Sequence, residues 1–364
     1  MFRLLVCAGG TGGGVYPALA VAAALHDRAE IVWVGGRGGM EADLVNRAGL
    51  AFEAIPAAGL HGVGLRALPG NLLELARGYF ASLALMRRLK PDAFFFTGGY
   101  VAVPMALASF RRPQLAFVPD IQPGLALRAV SRLSDVVAVT AEESVREYPA
   151  RKRVVVTGYP VRPELVPQDK QPARQALGLD PAIPAVLVFG GSLGARSINQ
   201  ALWACLAELL QSIQIIHLTG SLDWPRVQAL RESLPESVRG RYLAHEYLHE
   251  EMARALAAAD LVVSRAGASA LGEYPHFGLP AVLVPYPHAW RYQQVNAKYL
   301  AGHGAALVLP DERLKDDLLS TVIDLLGDTK RLAAMAKAMR ALDRPGAAQA
   351  VADEIVRLAE AGLA

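Results

Sequence analysis

The stretch that decides the fold is Val186-Leu-Val-Phe-Gly-Gly-Ser-Leu-Gly-Ala-Arg-Ser-Ile-Asn-Gln-Ala201. Its apolar start predicts a buried strand, and the residues from about Ala195 onward predict a helix. The glycines between them form a turn that points backbone N–H groups and the positive end of the helix dipole outward, an arrangement that binds phosphate. Ser192 adds a hydroxyl donor to this turn. The stretch alone is equally consistent with a tight turn that binds no ligand.

Length and composition predict a folded chain of two domains. At 364 residues the chain exceeds the usual size of one hydrophobic core, and with 53% hydrophobic and 20% charged residues it should fold throughout.

Cys7 and Cys205 lie in separate apolar stretches and are expected to be reduced core residues in a reducing compartment. A signal peptide is not expected, because the apolar run after Arg3 is short and ends in glycines.

The uncharged run at residues 93–110 is the one serious candidate for a membrane span. Gly98, Gly99 and Pro104 interrupt this run, and its apolar start fits a buried strand better than a membrane helix. We therefore expect no membrane-spanning helix here.

The N-terminal half of the chain is basic. Residues 1–162 carry 18 basic and 12 acidic side chains, whereas the remainder carries 19 and 22. The excess suggests an anionic partner, either a membrane surface or a phosphorylated substrate, although solvated surface charge would look the same.

Residues 60–90 interleave leucines and aromatic residues with arginines, a pattern that suits the headgroup region of an anionic bilayer. A helix packed on the sheet is the interpretation that this pattern alone favours.

Strands alternate with helices along most of the chain. A first strand at 3–8 leads into the glycine-rich segment 9–14 and a helix from Pro17. The alternation predicts an α/β fold with two doubly wound, Rossmann-like parallel-sheet domains that face a cleft. A run of prolines between residues 160 and 184 marks the connection between the two. The predicted domains are 1–160, 161–340 and a C-terminal helix at 341–364 that packs back on the first domain.

Neither glycine segment fits the common nucleotide-binding signatures. A G-x-G-x-x-G pattern fails at Val15 when counted from Gly10 and at Pro17 when counted from Gly12. The chain contains no G-x-x-x-x-G-K-[ST] motif and no Asp-x-Asp metal–diphosphate signature, so we expect no metal ion or other cofactor. A diphosphate would instead be held by helix N-termini, hydroxyl groups and arginine.

Two later stretches suit a sugar nucleotide. Residues Ser264-Arg-Ala-Gly-Ala-Ser-Ala-Leu-Gly-Glu273 turn from a predicted strand through small residues into a helix. Glu273 is expected one to two turns into that helix, where its carboxylate can accept hydrogen bonds from two ribose hydroxyls; a solvated helix glutamate is the alternative. The polar, aromatic-rich loop 285–296 follows another strand, where α/β folds collect their ligands. Its Gln293 offers a donor and an acceptor to sugar hydroxyls.

The order of these motifs resembles the MurG family. The shared motifs are Gly9-Gly-Thr-Gly-Gly, Gly98-Gly-Tyr, Gly158-x-Pro-Val-Arg162, Gly190-Gly-Ser-x-Gly-Ala-Arg-x-x-Asn199, Ser264-Arg-x-Gly-x-x-x-x-x-Glu273 and Gln293-x-x-Asn296-Ala. This family consists of inverting GT-B glycosyltransferases that move GlcNAc from UDP-GlcNAc to the muramyl 4-hydroxyl of lipid I, an undecaprenyl-diphosphate-linked acceptor, and so make lipid II. The resemblance spans nearly the whole chain. It implies an enzyme of peptidoglycan synthesis, and hence of cell-wall biogenesis, cell shape and cell division.

The resemblance also implies a location and a set of site residues. The protein would be cytoplasmic and peripheral on the inner face of the cell membrane, with no nucleic-acid partner. Arg162 and Ser192 would hold the diphosphate of UDP-GlcNAc, Glu273 the ribose, and Gln293 the GlcNAc hydroxyls. The acceptor side would include Gly14, Tyr100 and Asp120. The residues implied for the donor site are Thr11, Gly12, Gly13, Arg162, Gly191, Ser192, Gly194, Leu248, Ala268, Ser269, Ala270, Leu271, Gly272, Glu273 and Gln293.

Several residues on the acceptor side depart from the family pattern. Gly14 stands where the family has a histidine, and Phe117-Val-Pro-Asp120 aligns with the family's His-Glu-Gln-Asn. The family's Gly-Asn-Pro reads Gly158-Tyr159-Pro160, and Tyr292 replaces the first of two paired glutamines. The elements expected to bind the donor phosphates are mostly retained, whereas the polar groups on the acceptor side are largely replaced.

An inverting transfer needs a base that takes the proton from the attacking hydroxyl. Because position 14 has no side chain, we hypothesise that Asp120 is the catalytic base, with His288 as the reserve candidate. The alternative for Asp120 is an aspartate that caps a helix beginning near Gly124.

The sequence is consistent with three functions. The first is a MurG-type transferase whose acceptor site has diverged. The second is a MurG-like GT-B transferase with another lipid or small-molecule acceptor, because a changed acceptor would produce the same replacements. The third is a non-catalytic homologue that binds a nucleotide sugar, and the retained donor residues argue against it.

Overall fold

The structure, a computed structural model, describes residues 1–10, 12–39, 41–58, 68–191, 194–249, 251–287 and 292–363. The chain forms two units, each with its own parallel sheet. The N-unit contains Met1–Pro163 and Arg344–Ala364, and the C-unit contains Glu164–Asp343. The predicted α/β fold with two parallel sheets is therefore confirmed.

The N-unit is built on a seven-stranded parallel sheet. Its strands are β1 (Phe2–Cys7), β2 (Ala29–Gly36), β3 (Ala51–Ile55), β4 (Ala93–Phe96), β5 (Gln114–Val118), β6 (Val136–Val139) and β7 (Arg153–Val156). Its first helices are α1 (Gly12–Ala24), α2 (Glu41–Arg47), α3 (Leu68–Leu89), α4 (Ala102–Ala108) and α5 (Leu125–Leu133). The strand order is β3-β2-β1-β4-β5-β6-β7, so the order along the chain reverses between β1 and β4, where doubly wound folds place their ligands.

Large apolar side chains fill the core of the N-unit. Strands β4 and β5 are buried along their whole length, as expected of parallel strands that are covered on both faces. Trp33, Phe94 and Phe117 are fully buried, and the Trp33 indole N–H donates to the Ala8 carbonyl (2.9 Å). This packing fixes the strand ends from which the glycine loops emerge.

Glycine loops follow β1 and β4, the two strands at which the order reverses. Gly99 has a φ of +82°, and a Cβ at this position would lie 3.0 Å from backbone atoms of Gly9. The two loops therefore touch through their backbones, which requires a residue without a side chain at the point of contact.

Helix α1 begins at Gly12, earlier than the predicted start at Pro17. Pro17 lies inside the helix and has no N–H to donate to the Gly13 carbonyl, a loss that usually interrupts a helix. The Tyr159 hydroxyl donates to that carbonyl instead (3.4 Å), and Thr97 Oγ1 donates to the Gly14 carbonyl (2.7 Å). These two side chains supply hydrogen bonds that let the glycine-rich segment form the first turn of α1.

The C-unit is built on a six-stranded parallel sheet with its own set of helices. Its strands are β8 (Ala185–Phe189), β9 (Gln214–Leu218), β10 (Tyr242–His245), β11 (Leu261–Ser264), β12 (Ala281–Leu283) and β13 (Ala306–Val308). Its helices are α6 (Lys170–Ala176), α7 (Arg196–Leu209), α8 (Val227–Ser233), α9 (Glu236–Arg239), α10 (Met252–Ala258), α11 (Glu273–Phe277), α12 (Tyr292–Gly302), α13 (Leu314–Gly327) and α14 (Thr329–Arg340). The order β10-β9-β8-β11-β12-β13 reverses between β8 and β11, so the turn after β8 lies at the switch point.

The proline-rich segment is more than a connection, because it contains α6. Arg174 of this helix is buried, and its guanidinium donates to the Ala258 and Pro181 carbonyls (2.9 Å each) and pairs with Asp260. Pro172 lies in the first turn of α6, where a missing N–H costs little. The sequence prediction of a plain connection missed this helix, since proline density alone does not distinguish a linker from a helix start.

The last helix, α15 (Ala347–Leu363), belongs to the N-unit. It packs against α1, β4 and β5. Two ion pairs fasten it, Arg28 with Asp353 (2.8 Å) and Arg153 with Glu354 (2.6 Å). The N-unit is thus completed by residues that follow the C-unit in the chain.

The uncharged run 93–110 forms strand β4, a glycine turn and the short helix α4. Across the parts of the chain that the structure describes, no helix is long and apolar enough to cross a membrane.

Replacing Gly99 with alanine should destabilise the protein more than replacing Gly38. The two residues have φ angles of +82° and +72°, so each alanine costs about 1–2 kcal/mol of backbone strain. At Gly99 the new methyl group also presses on the Gly9 backbone, which adds about 1–3 kcal/mol, whereas a Cβ at Gly38 meets no described atom within 4 Å. Denaturant unfolding of the two variants measures the difference, and equal midpoints would contradict the backbone contact between the loops.

Candidate functional site

The turn after β8 is held by tight backbone contacts. A Cβ at Gly190 would collide with Ala195, and a Cβ at Gly194 would collide with the Thr219 carbonyl oxygen. Gly191 and Gly194 have φ angles of +101° and +78°, which residues with side chains rarely adopt. The Gly194 N–H donates to the Gly191 carbonyl (3.0 Å). These constraints explain why the predicted strand–turn–helix is built from glycines.

Helix α7 begins directly after this turn. Its N-cap is Ala195, which has no side-chain acceptor to offer the N–H groups of the first turn. These N–H groups and the helix dipole are therefore suited to an anion, as the sequence pattern predicts. Ser192, which is predicted to add a hydroxyl, lies outside the described residues.

Arg265 fastens the first turn of α7 to neighbouring segments. Its guanidinium donates to Ser197 Oγ (2.7 Å) and Asp311 Oδ1 (2.5 Å), and Ser197 Oγ donates to the same carboxylate (2.8 Å). The guanidinium also donates to the Val284 carbonyl (3.2 Å) and lies 5.2 Å from the centre of the Tyr286 ring. The side chain thus joins the ends of β11 and β12 to α7. The sequence placed Arg265 in a motif but gave no sign of this role.

Glu273 occupies a different place from the predicted one. Residues Ala268–Leu271 form a 3-10 turn, and Glu273 is the first residue of α11 rather than one to two turns into a helix. Gly272 separates the two elements with a φ of −121° and a ψ of −49°, outside helical geometry. Glu273 is only 4% exposed, so the alternative of a solvated helix glutamate is wrong.

Much of the predicted donor lining is buried inside the C-unit. Within residues 268–273, all of which the structure describes, Ser269 is part-exposed and the other five are buried. Behind it, Ser264 Oγ and the Tyr274 hydroxyl lie 2.6 Å apart, and burial raises the pKa of Tyr274, so this hydroxyl stays protonated. The buried members are Leu248, Ala268, Ala270, Leu271 and Gly272.

Gln293 and Asn296 each bind a backbone group of a neighbouring loop. Gln293 Oε1 accepts a hydrogen bond from the Tyr286 N–H (2.9 Å). Asn296 is fully buried, and its side-chain amide donates to the Ala266 carbonyl (3.1 Å). Asn296 therefore shapes the loop after β11. His288, the reserve candidate for the base, lies outside the described residues.

In the N-unit, Arg162 stacks on an aromatic ring of α1. Its guanidinium lies 4.3 Å from the centre of the Tyr16 ring, a cation–π arrangement. A Cβ at Gly12 would lie 2.9 Å from the same ring, so the glycine leaves room for Tyr16. Arg162 is thereby held beside the first turn of α1, which contains Gly12 and Gly13, while Thr11 lies outside the described residues. A contact between Arg162 and the diphosphate stays a prediction.

Asp120 lies just beyond the carboxyl end of β5 and is part-exposed. The carbonyl of the preceding residue, Pro119, accepts a hydrogen bond from Thr140 Oγ1 (2.8 Å). The N-cap of α5 is Gly124, so Asp120 does not occupy the capping position considered as its alternative. Tyr100, the other acceptor-side candidate with a side chain, is exposed in the turn after β4.

A buried carboxylate between glycine loops was missed by the sequence analysis. Glu41 is 2% exposed, and its Oε1 accepts from the Gly36 N–H (2.9 Å). A Cβ at Gly9 would lie 2.6 Å from this oxygen, and one at Gly39 would collide with the carboxylate. The glycines around Glu41 therefore make room for its side chain. The one sequence signal was the density of glycines on both sides of it.

The chain matches known proteins over nearly its whole length. Residues 4–137 match the glycosyltransferase family 28 N-terminal domain, and residues 185–352 match the C-terminal domain of that family. A protein from Desulforudis audaxviator is 40% identical over 375 residues, which covers 99% of both chains. Another from Roseiflexus sp. is 41% identical over 412 residues, which covers 96% of this chain and 93% of its own. Both bear the name UDP-N-acetylglucosamine–N-acetylmuramyl-(pentapeptide) pyrophosphoryl-undecaprenol N-acetylglucosamine transferase.

A solved structure from the same family is also similar to this chain. The crystal structure of MurG from Acinetobacter baumannii is 30% identical to this chain, with a TM-score of 0.77 over 98% of this chain and 100% of that chain. The chain belongs to the MurG family. The predicted family, GT-B fold and glycosyltransferase activity are confirmed.

Three departures from the MurG family pattern lie close together in the N-unit. The Phe117 and Tyr159 rings pack edge to face with centroids 6.2 Å apart, so the two replacements compensate each other by forming an aromatic pair. The Tyr159 hydroxyl reaches the Gly13 carbonyl (3.4 Å), next to the third departure, Gly14. A Cβ at Gly14 would lie 3.1 Å from the Thr97 carbonyl oxygen, so a side chain here would need Thr97 or α1 to move by a few tenths of an ångström.

Helix α3 meets the sheet on one side and exposes apolar residues on the other. Leu85 is buried in the core, and Gly78 packs against Pro104 of α4. On this packed side, α3 agrees with the interpretation that the sequence pattern favours, a helix packed on the sheet. The start of the stretch cannot be compared, because residues 59–67 lie outside the described residues. Exposed apolar residues lie on α3, on α4 and in the turns next to α4, and we call this set the apolar surface. Its members are Leu72, Leu73, Phe80, Tyr100, Leu107 and Phe110.

Replacing Arg265 with lysine should destabilise the C-unit by about 2–3 kcal/mol, because lysine cannot make the forked contacts to Ser197 and Asp311 and leaves buried polar atoms unpaired. Arg313 is the matched control: it pairs with Asp317 (2.8 Å) one turn along the chain, and its side chain is 60% exposed. Arg313→Lys should change stability by less than about 0.5 kcal/mol. Urea unfolding measures both, and equal effects would contradict the fastening role of Arg265.

Proposed function

We propose that this protein transfers GlcNAc from UDP-GlcNAc to the muramyl 4-hydroxyl of lipid I, the undecaprenyl-diphosphate-linked acceptor, and so makes lipid II for peptidoglycan synthesis. The observation that carries the proposal is the glycine turn between β8 and α7, in a chain that aligns along its whole length with MurG relatives. The transfer would occur in the cytoplasm.

The donor would bind to the C-unit. The outward N–H groups of the first turn of α7 suit the diphosphate, and they also suit the negative charge that develops on UDP as it departs. Glu273 would accept hydrogen bonds from the ribose, and Gln293 would bind the GlcNAc hydroxyls. Because Gln293 Oε1 already accepts from the Tyr286 N–H, its amide N–H groups are the part suited to the sugar.

Asp120 would take the proton from the acceptor hydroxyl. It is part-exposed at the carboxyl end of a central strand, where α/β folds place reacting groups. Its carboxylate lies in the motif that aligns with His-Glu-Gln-Asn of the family. Gly14 has no side chain and therefore cannot act as the base. Asp120 is the described residue that best combines these features.

Replacing Asp120 with asparagine should lower kcat by about 100-fold or more, because general-base catalysis typically contributes that factor. The affinity for UDP should not change, since Asp120 is not among the residues proposed to bind UDP. Acceptor-dependent UDP release and calorimetric UDP binding measure the two quantities. Asp43→Asn, on the exposed side of α2, is the control that should keep the wild-type kcat. Wild-type turnover of Asp120→Asn would remove Asp120 from this role.

The rearranged acceptor side favours a second candidate function, transfer to another lipid or small-molecule acceptor. Phe117, Tyr159 and Gly14 replace polar residues of the family and form one cluster. UDP release that depends on a different acceptor, and not on lipid I, would support this second function.

The apolar surface would bind the cytoplasmic membrane peripherally. Phe80 is 68% exposed and Leu72 is 56% exposed, so both can enter a bilayer without disturbing the core. Arg87 of α3 and Arg111 and Arg112 after α4 are exposed and can meet anionic headgroups. This placement would bring the acceptor side of the N-unit to a lipid-anchored substrate.

Replacing Phe80 with glutamate should weaken binding to vesicles of phosphatidylglycerol by about tenfold or more, because a buried phenylalanine contributes about 1.5–3 kcal/mol. Val166→Glu, at an exposed apolar residue of the C-unit, is the control and should leave vesicle binding unchanged. Cosedimentation measures both variants. If Phe80→Glu sediments with the vesicles as well as the wild type does, the apolar surface is not the membrane contact.

A further inference from the structure

A chain of buried polar side chains lies under the glycine turn of the C-unit. Asn199, His217 and Tyr242 are each at most 1% exposed. The Asn199 and His217 side chains are joined through Oδ1 and Nε2 (3.0 Å), and His217 Nδ1 lies 2.8 Å from the Tyr242 hydroxyl. Trp203 Nε1 donates to the same hydroxyl (3.2 Å). We call these side chains the buried relay.

Donor and acceptor counts fix the direction of every hydrogen bond in the buried relay. Asn199 Nδ2 donates to the Thr219 carbonyl and to Asp223 Oδ2, both at 2.9 Å, so Asn199 faces His217 with its oxygen. An amide oxygen only accepts, and His217 must therefore carry its proton on Nε2. His217 Nδ1 then accepts from the Tyr242 hydroxyl, which in turn accepts from Trp203.

The charge state of His217 agrees with this assignment. Burial lowers the pKa of His217 to about 3, so the ring is neutral near neutral pH and has one N–H to donate. Burial also raises the pKa of Tyr242 to about 12, so its hydroxyl keeps the proton that it donates.

The relay ends on the backbone that confines the glycine turn. The Thr219 carbonyl accepts from Asn199, and it is the same oxygen with which a Cβ at Gly194 would collide. Asp223, buried beside Asn199, also lies 3.6 Å from Arg196 Nε in the first turn of α7. Asn199 therefore braces both sides of the turn, the loop after β9 and the start of α7.

We propose that Asn199 and His217 are positioning residues that hold Gly194 and the first turn of α7 in the arrangement that binds the diphosphate of a nucleotide. This inference rests on the proposed function, which makes that turn the donor-phosphate site. His217 acts through Asn199: its N–H donates to the amide oxygen and so helps to hold the amide N–H groups against the Thr219 carbonyl and the Asp223 carboxylate. Without that N–H the buried amide oxygen has no donor, and the Asn199 side chain is held less firmly in place.

The test compares two replacements of His217. His217→Leu removes the N–H, and the affinity for UDP should fall by about tenfold, the effect of leaving one buried hydrogen bond unmade. His217→Gln keeps an N–H at a similar distance from the backbone, and its affinity should stay within about threefold of the wild type. Isothermal calorimetry with UDP measures binding without requiring an acceptor. Equal affinity in His217→Leu and the wild type would overturn the positioning role.

Nuclear magnetic resonance on the wild-type protein tests the relay even if a variant fails to fold. The chain has 8 histidines, and a long-range ¹H–¹⁵N spectrum distinguishes their tautomers. The relay predicts that His217 carries its proton on Nε2 and does not titrate between about pH 5 and 8. A proton on Nδ1, or a titration in that range, would overturn the assignment.

The two measurements separate this inference from the proposed function. A wild-type protein that does not bind UDP, with the Nε2–H tautomer present, would overturn the donor site and with it the role of the relay in binding. A wild-type protein that binds UDP, with no loss in His217→Leu, would overturn the positioning role and leave the proposed function intact.

Discussion

At the carboxyl end of each sheet, neighbouring loops meet backbone to backbone, with no side chain between them. In the N-unit the contact is Gly99 against Gly9, and in the C-unit it is Gly194 against the Thr219 carbonyl. The first contact joins the loops after β1 and β4, the strands between which the order reverses, and the second joins the loops after β9 and β8, the latter being one strand of the corresponding pair. Because the loops approach so closely, the helices that follow begin at the strand ends and turn their N–H groups toward the same edge of the sheet.

Buried or largely buried polar side chains hold these loops in place through hydrogen bonds and close packing. Arg265 ties α7 to Asp311, and Asn199 ties α7 to the loop after β9. In the N-unit, Glu41 accepts a hydrogen bond from Gly36 at the end of β2 and lies against Gly9 in the loop after β1. Buried groups of this kind are costly unless they are hydrogen-bonded, so they favour one arrangement of the backbone strongly over others. In this protein the arrangement that they favour is also the one suited to an anion, which links the stability of the loops to the proposed binding of the donor.

Features that depend on local pattern could be predicted from the sequence. Apolar runs followed by glycines marked β1, β4 and β8, and the motif order identified the family. Features that depend on distant residues could not. The early start of α1 is supported by the distant Tyr159, whose hydroxyl donates to the Gly13 carbonyl that Pro17 cannot reach with an N–H. The buried place of Glu273 follows from the backbone geometry of Gly272. The tautomer of His217 follows from its contacts with side chains of α7 and β10. Such contacts join residues far apart in the chain and leave no periodic signal.

We expect this chain to move GlcNAc from UDP-GlcNAc to lipid I although Phe117 and Tyr159, which pack together, depart from the family pattern. The most direct measurement is UDP release by the purified protein with UDP-GlcNAc, with and without a short-chain lipid I analogue. The account predicts release that depends on the analogue, together with a product that carries one added GlcNAc. Tight binding of UDP-GlcNAc without release in the presence of the analogue would contradict it.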